Sequence, residues 1–208
     1  MSGGYVDPVR LFDFPFSGNG YKIRLALSML GIHVEYRVVN ILEGQSRTSE
    51  FLAMNPAGQI PVLELSNGTF LWESNAILFW LAEGTALMPS SKLDRARMVR
   101  WMCFEQNRLD KVLGRAKFLK AFPHFRATTE AEFEGWYAEG HEALGIIDSE
   151  LIGRAFVVGD DFSAADICLY GYVHSARDGG FDLDRFPAVI AWLKRVEQQP
   201  GYKTIDQY

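Results

Sequence analysis

Cysteine is scarce in this chain of 208 residues, and its two cysteines stand apart. Cys103 and Cys168 each lie inside an apolar, periodic segment, and the sequence has no CxxC motif. No group of His, Cys or acidic residues follows the spacing of metal ligands, and the four histidines are scattered. These features exclude a pair of neighbouring redox cysteines, and we expect no metal site.

The chain also lacks a long apolar run and an excess of positive charge. No apolar stretch approaches the roughly 20 residues that a membrane span requires, and the first ten residues do not resemble a signal peptide. A formal net charge of −5 gives no support for a nucleic-acid partner or an anionic membrane surface. We therefore expect a cytoplasmic globular protein with no nucleic-acid partner and no membrane partner.

The first part of the chain alternates between strand patterns and helix patterns in the order β-α-β-α-β-β-α. The first two strands should be parallel, and the last two should form an antiparallel hairpin, because Asn-Gly between apolar runs favours a tight turn. This order is typical of a thioredoxin-like domain. The predicted segments are a strand at 10–14, a helix ending at Gly31, a strand at 36–41, a short helix or turn at 46–54, two strands around Asn67-Gly68, and a helix with Ser74 as its N-cap.

The second part of the chain has helical patterns only and shows no internal repeat. We predict an α/β, thioredoxin-like domain at residues 5–84 and an all-helical domain at residues 90–208. Charge is segregated in the helical part, since residues 92–120 hold nine basic and three acidic residues, while residues 128–166 hold ten acidic residues and one basic residue. Solvated helix faces explain most of these charges, and a basic helix that faces an anionic ligand is the alternative.

The stretch Ser17–Gly20 (SGNG) occupies the turn between the first strand and the first helix. A helix N-terminus carries unpaired N–H groups and about half a positive charge, so it stabilises a nearby anion. Thioredoxin-like proteins commonly place a cysteine at this turn, and this chain has none. If the site handles sulfur, that sulfur belongs to a ligand, and Ser17 donates its hydroxyl to the bound thiolate. The alternative is that Ser17 and Asn19 only cap the helix.

Two further motifs fall on the same edge of the predicted sheet. Gln59-Ile60-Pro61 opens the third strand, where the Ile60 backbone can pair with an extended peptide as an added strand. The base rate of proline isomers favours a trans Ile60–Pro61 bond. Glu73-Ser74 opens a helix and suits an amino-acid end, although a plain N-cap explains Ser74 equally well. The three motifs together suit a γ-glutamyl tripeptide with a central cysteine.

The chain resembles a cytosolic glutathione S-transferase of the bacterial, serine-type kind over nearly its whole length. The matching stretches are SGNGYKIRLAL, EFLAMNPAGQIPVLEL, LWESNAILFWLAE and VVGDDFSAADICLYGY. Ser163 and Asp166 in the last stretch form a capping box, so we assign them a structural role. The resemblance implies the two-domain fold of that family, a cis proline at Pro61, glutathione as co-substrate and a homodimer with the glutathione site near its interface.

The resemblance also implies roles for individual residues. Ser17 matches the serine that activates the glutathione thiol, and the Ser17-x-Asn19 pattern allows Asn19 to share or replace that role. The position of Ser46 matches a contact to the glycyl carboxylate, which the neighbouring Arg47 is able to take over. The positions that match glutathione contacts are Ser46, Gln59, Ile60, Pro61, Glu73 and Ser74.

The expected activity is transfer of glutathione to a hydrophobic electrophile in a detoxification role. The turn without cysteine disfavours the cysteine-type branch, and the positions of Tyr5 and Tyr21 disfavour the tyrosine-type branch. The alternatives are another glutathione reaction (isomerisation, dehalogenation or ether cleavage), or a transferase-like protein that acts through a protein partner without catalysis. The aromatic residues proposed to hold the electrophile, for which plain core packing is the alternative, are Phe16, Phe104, Phe118 and Phe122.

Overall fold

A computed structural model describes residues 6–207, so Tyr5 and Tyr208, the outer limits of the two predicted domains, lie outside the described residues. The chain divides into two compact units. One contains the described residues up to Leu81 together with the C-terminal segment from Lys203, and the other contains Ala82–Tyr202. Nothing in the sequence patterns indicates that the C-terminal segment belongs to the first unit.

The first unit is built on a four-stranded sheet of order β2-β1-β3-β4. β1 and β2 are parallel, whereas β1–β3 and β3–β4 are antiparallel, which confirms the predicted thioredoxin-like arrangement and its hairpin. The strands are β1 (Pro8–Asp13), β2 (Glu35–Val38), β3 (Val62–Leu65) and β4 (Phe70–Trp72), and the helices are α1 (Gly18–Met29), α2 (Ser49–Met54) and α3 (Ser74–Ala82).

Helix α1 is buried more completely than its apolar spacing predicts. Every residue from Gly20 to Leu27 is buried, and this stretch includes the cationic residues Lys22 and Arg24. Two charges in the interior require internal partners, because an unpaired buried charge is very costly. Lys22 donates to Asn75 Oδ1 at 3.1 Å, and Arg24 pairs with Asp13. Helix α1 is therefore a central helix held by polar contacts as well as apolar packing.

Two local predictions are wrong in detail. The second strand ends at Val38 instead of residue 41, because the Asn40 side chain accepts a hydrogen bond from the Leu42 N–H and starts a 3₁₀ turn. Ser74 is not the N-cap of α3, since the helix begins at Ser74 itself. Its hydroxyl is used in a contact with Asn19.

The second unit is helical, as predicted. A π-helical segment, Glu105–Gly114, continues α4 directly into α5. Within residues 6–207, no helix is both long enough and apolar enough to cross a membrane. The α-helices are α4 (Lys92–Phe104), α5 (Arg115–Ala121), α6 (Glu130–Leu151), α7 (Ala164–Val173) and α8 (Pro187–Glu197).

The capping box at the start of α7 is confirmed. Asp166 is fully buried, and its carboxylate accepts hydrogen bonds from the Ser163 N–H at 2.9 Å, the Val157 N–H at 3.0 Å and the Trp192 indole at 2.9 Å. Burial raises the pKa of this carboxyl to about 6, although each of these donors favours the ionised form. Asp166 therefore joins α7, α8 and the loop before α7.

Some of the segregated basic and acidic residues pair with each other inside the second unit. Arg100 of α4 pairs with Glu150 of α6, and Arg108 of the π-helical segment pairs with Glu142, both at 3.3 Å. All four side chains are exposed, so each pair contributes at most about 1 kcal/mol. Basic and acidic helices thus lie side by side in this unit.

Candidate glutathione site

The register of the sheet brings the three motifs to one edge. Phe12, Val62 and Trp72 are successive partners across β1, β3 and β4. The first motif follows β1, the second precedes β3 and the third follows β4. The Ser17 turn, the Ile60 backbone and the start of α3 therefore lie at one edge of the sheet, as the sequence predicts.

Ser17 occupies the turn between β1 and α1 in an extended conformation (φ −72°, ψ 124°). Its Oγ accepts a hydrogen bond from the Gly20 N–H at 3.0 Å, and its own N–H donates to the Phe14 carbonyl at 2.8 Å. A hydroxyl has one proton to donate as well as lone pairs to accept with. Capping the helix and donating to a thiolate are therefore compatible roles. Ser17 and the neighbouring Phe16 are both half-buried.

A direct hydrogen bond links the first motif to the third. The Ser74 hydroxyl donates to Asn19 Oδ1 at 2.9 Å, and Ser74 is only 4% exposed. The bond joins the first turn of α1 to the first turn of α3. Because the Ser74 proton is used in this bond, a carboxylate at α3 has to be held mainly by backbone N–H groups of the helix start.

Glu73 has an unusual backbone conformation immediately before α3. It is exposed, and it is the one non-glycine residue with a positive φ, 70°, between residues 6 and 207. A side chain held in the left-handed region costs of order 1 kcal/mol or more, and such residues cluster at binding sites. The Glu73 carbonyl accepts a hydrogen bond from the Ile77 N–H at 3.0 Å, so this residue leads directly into α3.

The Ile60–Pro61 peptide bond is cis. The cis isomer that the resemblance implies is therefore confirmed. The trans isomer expected from the base rate is wrong. The β3 ladder begins at Val62, so the Ile60 backbone lies just ahead of it, and the Gln59 side chain is exposed.

Comparison with known proteins agrees with this geometry. Residues 7–83 match the glutathione S-transferase N-terminal domain, and residues 130–195 match the glutathione S-transferase C-terminal domain. The chain belongs to the glutathione S-transferase family.

Individual relatives extend over most of the chain. Glutathione S-transferase D7 of Drosophila melanogaster is 30% identical, with 93% of this chain and 86% of that protein covered. The crystal structure of a possible glutathione S-transferase from Rhodopseudomonas palustris is 44% identical, with a TM-score of 0.92 and coverage of 96% and 90%. A Burkholderia graminis glutathione transferase, solved with two glutathione molecules bound per subunit, is 27% identical, with a TM-score of 0.79 and coverage of 92% and 84%. These relatives favour glutathione S-transferase function over the alternatives.

The loop before β3 contains a buried residue that the sequence did not single out for the site. Asn55 is 2% exposed, its amide donates to the Gln59 carbonyl at 2.7 Å, and its Oδ1 accepts from the Ala57 N–H at 3.0 Å. Arg47 is exposed and donates to the Ala57 carbonyl at 3.1 Å, whereas Ser46 is buried. In this transferase, Asn55 and Arg47 shape the loop that carries Gln59.

The aromatic residues of the second unit fall into separate contacts. Phe104 packs edge-on against Trp101, with ring centroids 5.3 Å apart. Phe118 contacts Phe122 at 5.1 Å and also Phe125 at 5.0 Å. Phe125 is 57% exposed and was not among the predicted residues. Whether these rings hold an electrophile stays a prediction.

The ion pair below the Ser17 turn was also not predicted. Asp13, the last residue of β1, is fully buried, and its Oδ2 accepts from Arg24 Nε at 3.1 Å. The signal available in the sequence was a cation within the apolar pattern of α1. A single sequence does not show which carboxylate that cation meets. Within the described residues, no cluster of three or more metal-ligating side chains was found.

Proposed function

We propose that this protein is a glutathione transferase that binds glutathione along the sheet edge and couples its sulfur to a hydrophobic electrophile. The supporting observation is the placement of the half-buried Ser17 hydroxyl at the N-terminus of α1, beside the Asn19–Ser74 link. Family membership supports the same reaction class.

Activation of the thiol depends on the first turn of α1. The Ser17 hydroxyl donates to the glutathione sulfur while its oxygen keeps the bond from Gly20. The helix N-terminus adds a favourable field, and Asn19 is the second candidate donor. Lowering the thiol pKa by about two units requires roughly 2.7 kcal/mol of preferential thiolate stabilisation. One charge-assisted hydrogen bond and a helix terminus together supply energies of this order.

The chemical step forms one bond and breaks another. The thiol proton leaves to solvent, and the sulfur lone pair attacks the electrophilic carbon to form the C–S bond. The leaving group departs with the electron pair of its own bond. The proposed surroundings of the electrophile are the aromatic side chains Phe16, Phe104, Phe118 and Phe122.

The peptide part of glutathione is held by the other two motifs. The Ile60 N–H and C=O, fixed by Pro61, pair with the cysteinyl unit as an added strand. Glu73 pairs with the γ-glutamyl ammonium group, and the start of α3 at Ser74 holds the carboxylate. Gln59 lies beside this backbone.

The glycyl carboxylate is assigned to Arg47 in preference to Ser46. Ser46 is 6% exposed, whereas the Arg47 side chain is exposed and already lies on the loop that precedes Ile60. A guanidinium also matches a carboxylate with two parallel hydrogen bonds. A cytoplasmic homodimer with a detoxification role completes the proposal, on the support of the family.

The test is an ultraviolet difference spectrum on addition of glutathione at neutral pH, which detects the bound thiolate. We expect a thiolate band in the wild type that is lost in Ser17→Ala. Ser91→Ala is the matched control, because Ser91 caps α4 in the same way, accepting from the Asp94 N–H at 3.0 Å. A band that survives in Ser17→Ala and disappears in Asn19→Ala transfers the role to Asn19. No band and no glutathione binding by calorimetry would refute the transferase proposal.

A further inference from the structure

The Arg24 guanidinium connects three separate segments of the first unit. Its side chain is 6% exposed, and its Nε donates to Asp13 Oδ2 at 3.1 Å. Nη2 donates to the Pro15 carbonyl at 2.7 Å, and Nη1 donates to the Ile205 carbonyl at 2.5 Å. One planar group therefore holds the end of β1, the turn that leads to Ser17 and the C-terminal segment.

The Asp13 side chain packs directly against Gly20, in the first turn of α1. A Cβ atom built on Gly20 would lie 1.7 Å from Asp13 Oδ1, so the backbone of α1 approaches the carboxylate as closely as a glycine allows. The same Oδ1 has no hydrogen-bond partner within residues 6–207. Asp13 thus contributes shape as well as charge, because it fills the space under the first turn of α1.

The C-terminal segment covers the pair. The Tyr21 hydroxyl donates to the Lys203 carbonyl at 2.7 Å, next to the bond from Arg24 to Ile205. The rings of Tyr21 and Tyr36 lie 5.6 and 5.9 Å from the Arg24 guanidinium carbon, which suits cation–π contacts. The segment is therefore fastened to α1 at two carbonyls, on the helix that presents Ser17.

We propose that the Asp13–Arg24 pair, covered by residues 203–207, is the positioning device for the Ser17 turn. The pair fixes the chain on both sides of Ser17, through Asp13 and Pro15 before it and Gly20 after it. A donor stabilises a thiolate more when it is already held in place, because reorganisation at the moment of reaction costs energy. The inference rests on the proposed function of Ser17, and it makes Arg24 a positioning residue.

The first variant is Arg24→Lys, which keeps the charge beside Asp13 but loses the planar fork that reaches three acceptors at once. We expect the pKa of the bound glutathione thiol to rise by about one unit, which leaves about tenfold less thiolate at a pH well below that pKa. The KM for glutathione should change by less than about twofold, because the peptide-binding groups are intact. Arg195→Lys is the control, because it makes the same change at a half-buried arginine of the second unit, whose Nε donates to the Ala155 carbonyl at 2.8 Å, and it should leave the thiol pKa unchanged.

A second readout does not depend on glutathione. Hydrogen–deuterium exchange reports the N–H of Ser17, which donates to Phe14, and the N–H of Gly20, which donates to Ser17. We expect faster exchange at these amides in Arg24→Lys than in the wild type, and no change in Arg195→Lys.

The outcomes separate the two proposals. A wild type without a thiolate band refutes the proposed function, and the exchange data then still decide whether the pair holds the turn. A wild-type band together with unchanged thiol pKa and unchanged exchange in Arg24→Lys overturns the positioning role alone. If Arg24→Lys does not fold, Asp13→Asn, which keeps the shape of the side chain, decides by the same two measurements.

Discussion

At the scale of single residues, the geometry of Ser17 is compatible with two roles that the sequence presents as alternatives. A serine at a strand-to-helix turn is either a cap or a thiolate donor when only the sequence is considered. In the structure, the Ser17 oxygen accepts a hydrogen bond from the Gly20 N–H. The proton of the same hydroxyl can still be donated to another group. The Asn19 Oδ1 likewise accepts from the Ser74 hydroxyl, and the Asn19 side-chain amide group is the proposed second donor. Capping the helix and the proposed donation to a thiolate therefore do not exclude each other at Ser17.

Glu73 gives a prediction in which stability and binding move in opposite directions. Its φ of 70° is favourable for glycine, so Glu73→Gly should raise the free energy of unfolding by roughly 1 kcal/mol. The same change removes the carboxylate proposed to bind the γ-glutamyl ammonium group, so glutathione affinity should fall about tenfold or more. Urea unfolding and calorimetric titration measure the two effects. Glu73→Gln is the control, because it keeps the backbone strain and loses only the charge; unchanged affinity in both variants would contradict the assignment.

At the scale of elements, the order and type of helices and strands could be predicted because their signals are local. Alternation, helical spacing, Asn67-Gly68 and the capping box at Ser163 each depend on a few neighbouring residues. The strand order also predicted that the three motifs meet at one edge of the sheet. Burial of Lys22 and Arg24 could not be predicted in the same way. Their partners, Asn75 and Asp13, are fixed only by the tertiary fold.

The close approach of α1 to β1 gives a second prediction. Ala normally stabilises a helix relative to Gly by about 1 kcal/mol. Gly20→Ala should instead destabilise the protein by roughly 1–3 kcal/mol, the range typical of overpacked cores, because its Cβ would overlap the Asp13 carboxylate. Gly135→Ala is the matched control, since a Cβ there has no atom of another part of the described chain within 4 Å. Chemical denaturation compares the two. Equal stabilisation by both substitutions would show that the space between Gly20 and the Asp13 carboxylate is large enough for a methyl group.

At the scale of the whole molecule, each unit contains one fully buried aspartate whose pKa is raised by burial. Asp13 lies in the first unit beside Arg24, and Asp166 lies in the second among backbone and indole donors. The sequence identified Asp166 through its local capping pattern, but it gave no sign of Asp13 or of the return of residues 203–207. Contacts between segments far apart in sequence have no local sequence signal. The residues that hold the Ser17 turn from below could therefore not be predicted from the sequence.

The raised pKa of Asp166 predicts how stability depends on pH. Its pKa is about 6 in the folded protein against 3.8 as the ordinary value, so the folded state holds this proton more tightly than the unfolded state does. The contribution to stability is therefore complete below about pH 4 and is lost as the pH rises through about 6. The difference in unfolding free energy between wild type and Asp166→Asn should decrease over that range. Urea titrations at several pH values from 4 to 7.5 measure it, and Asp160→Asn, at an exposed position, is the control. A difference that grows with pH would mean that the donors around Asp166 outweigh its burial, and that its folded pKa is lowered.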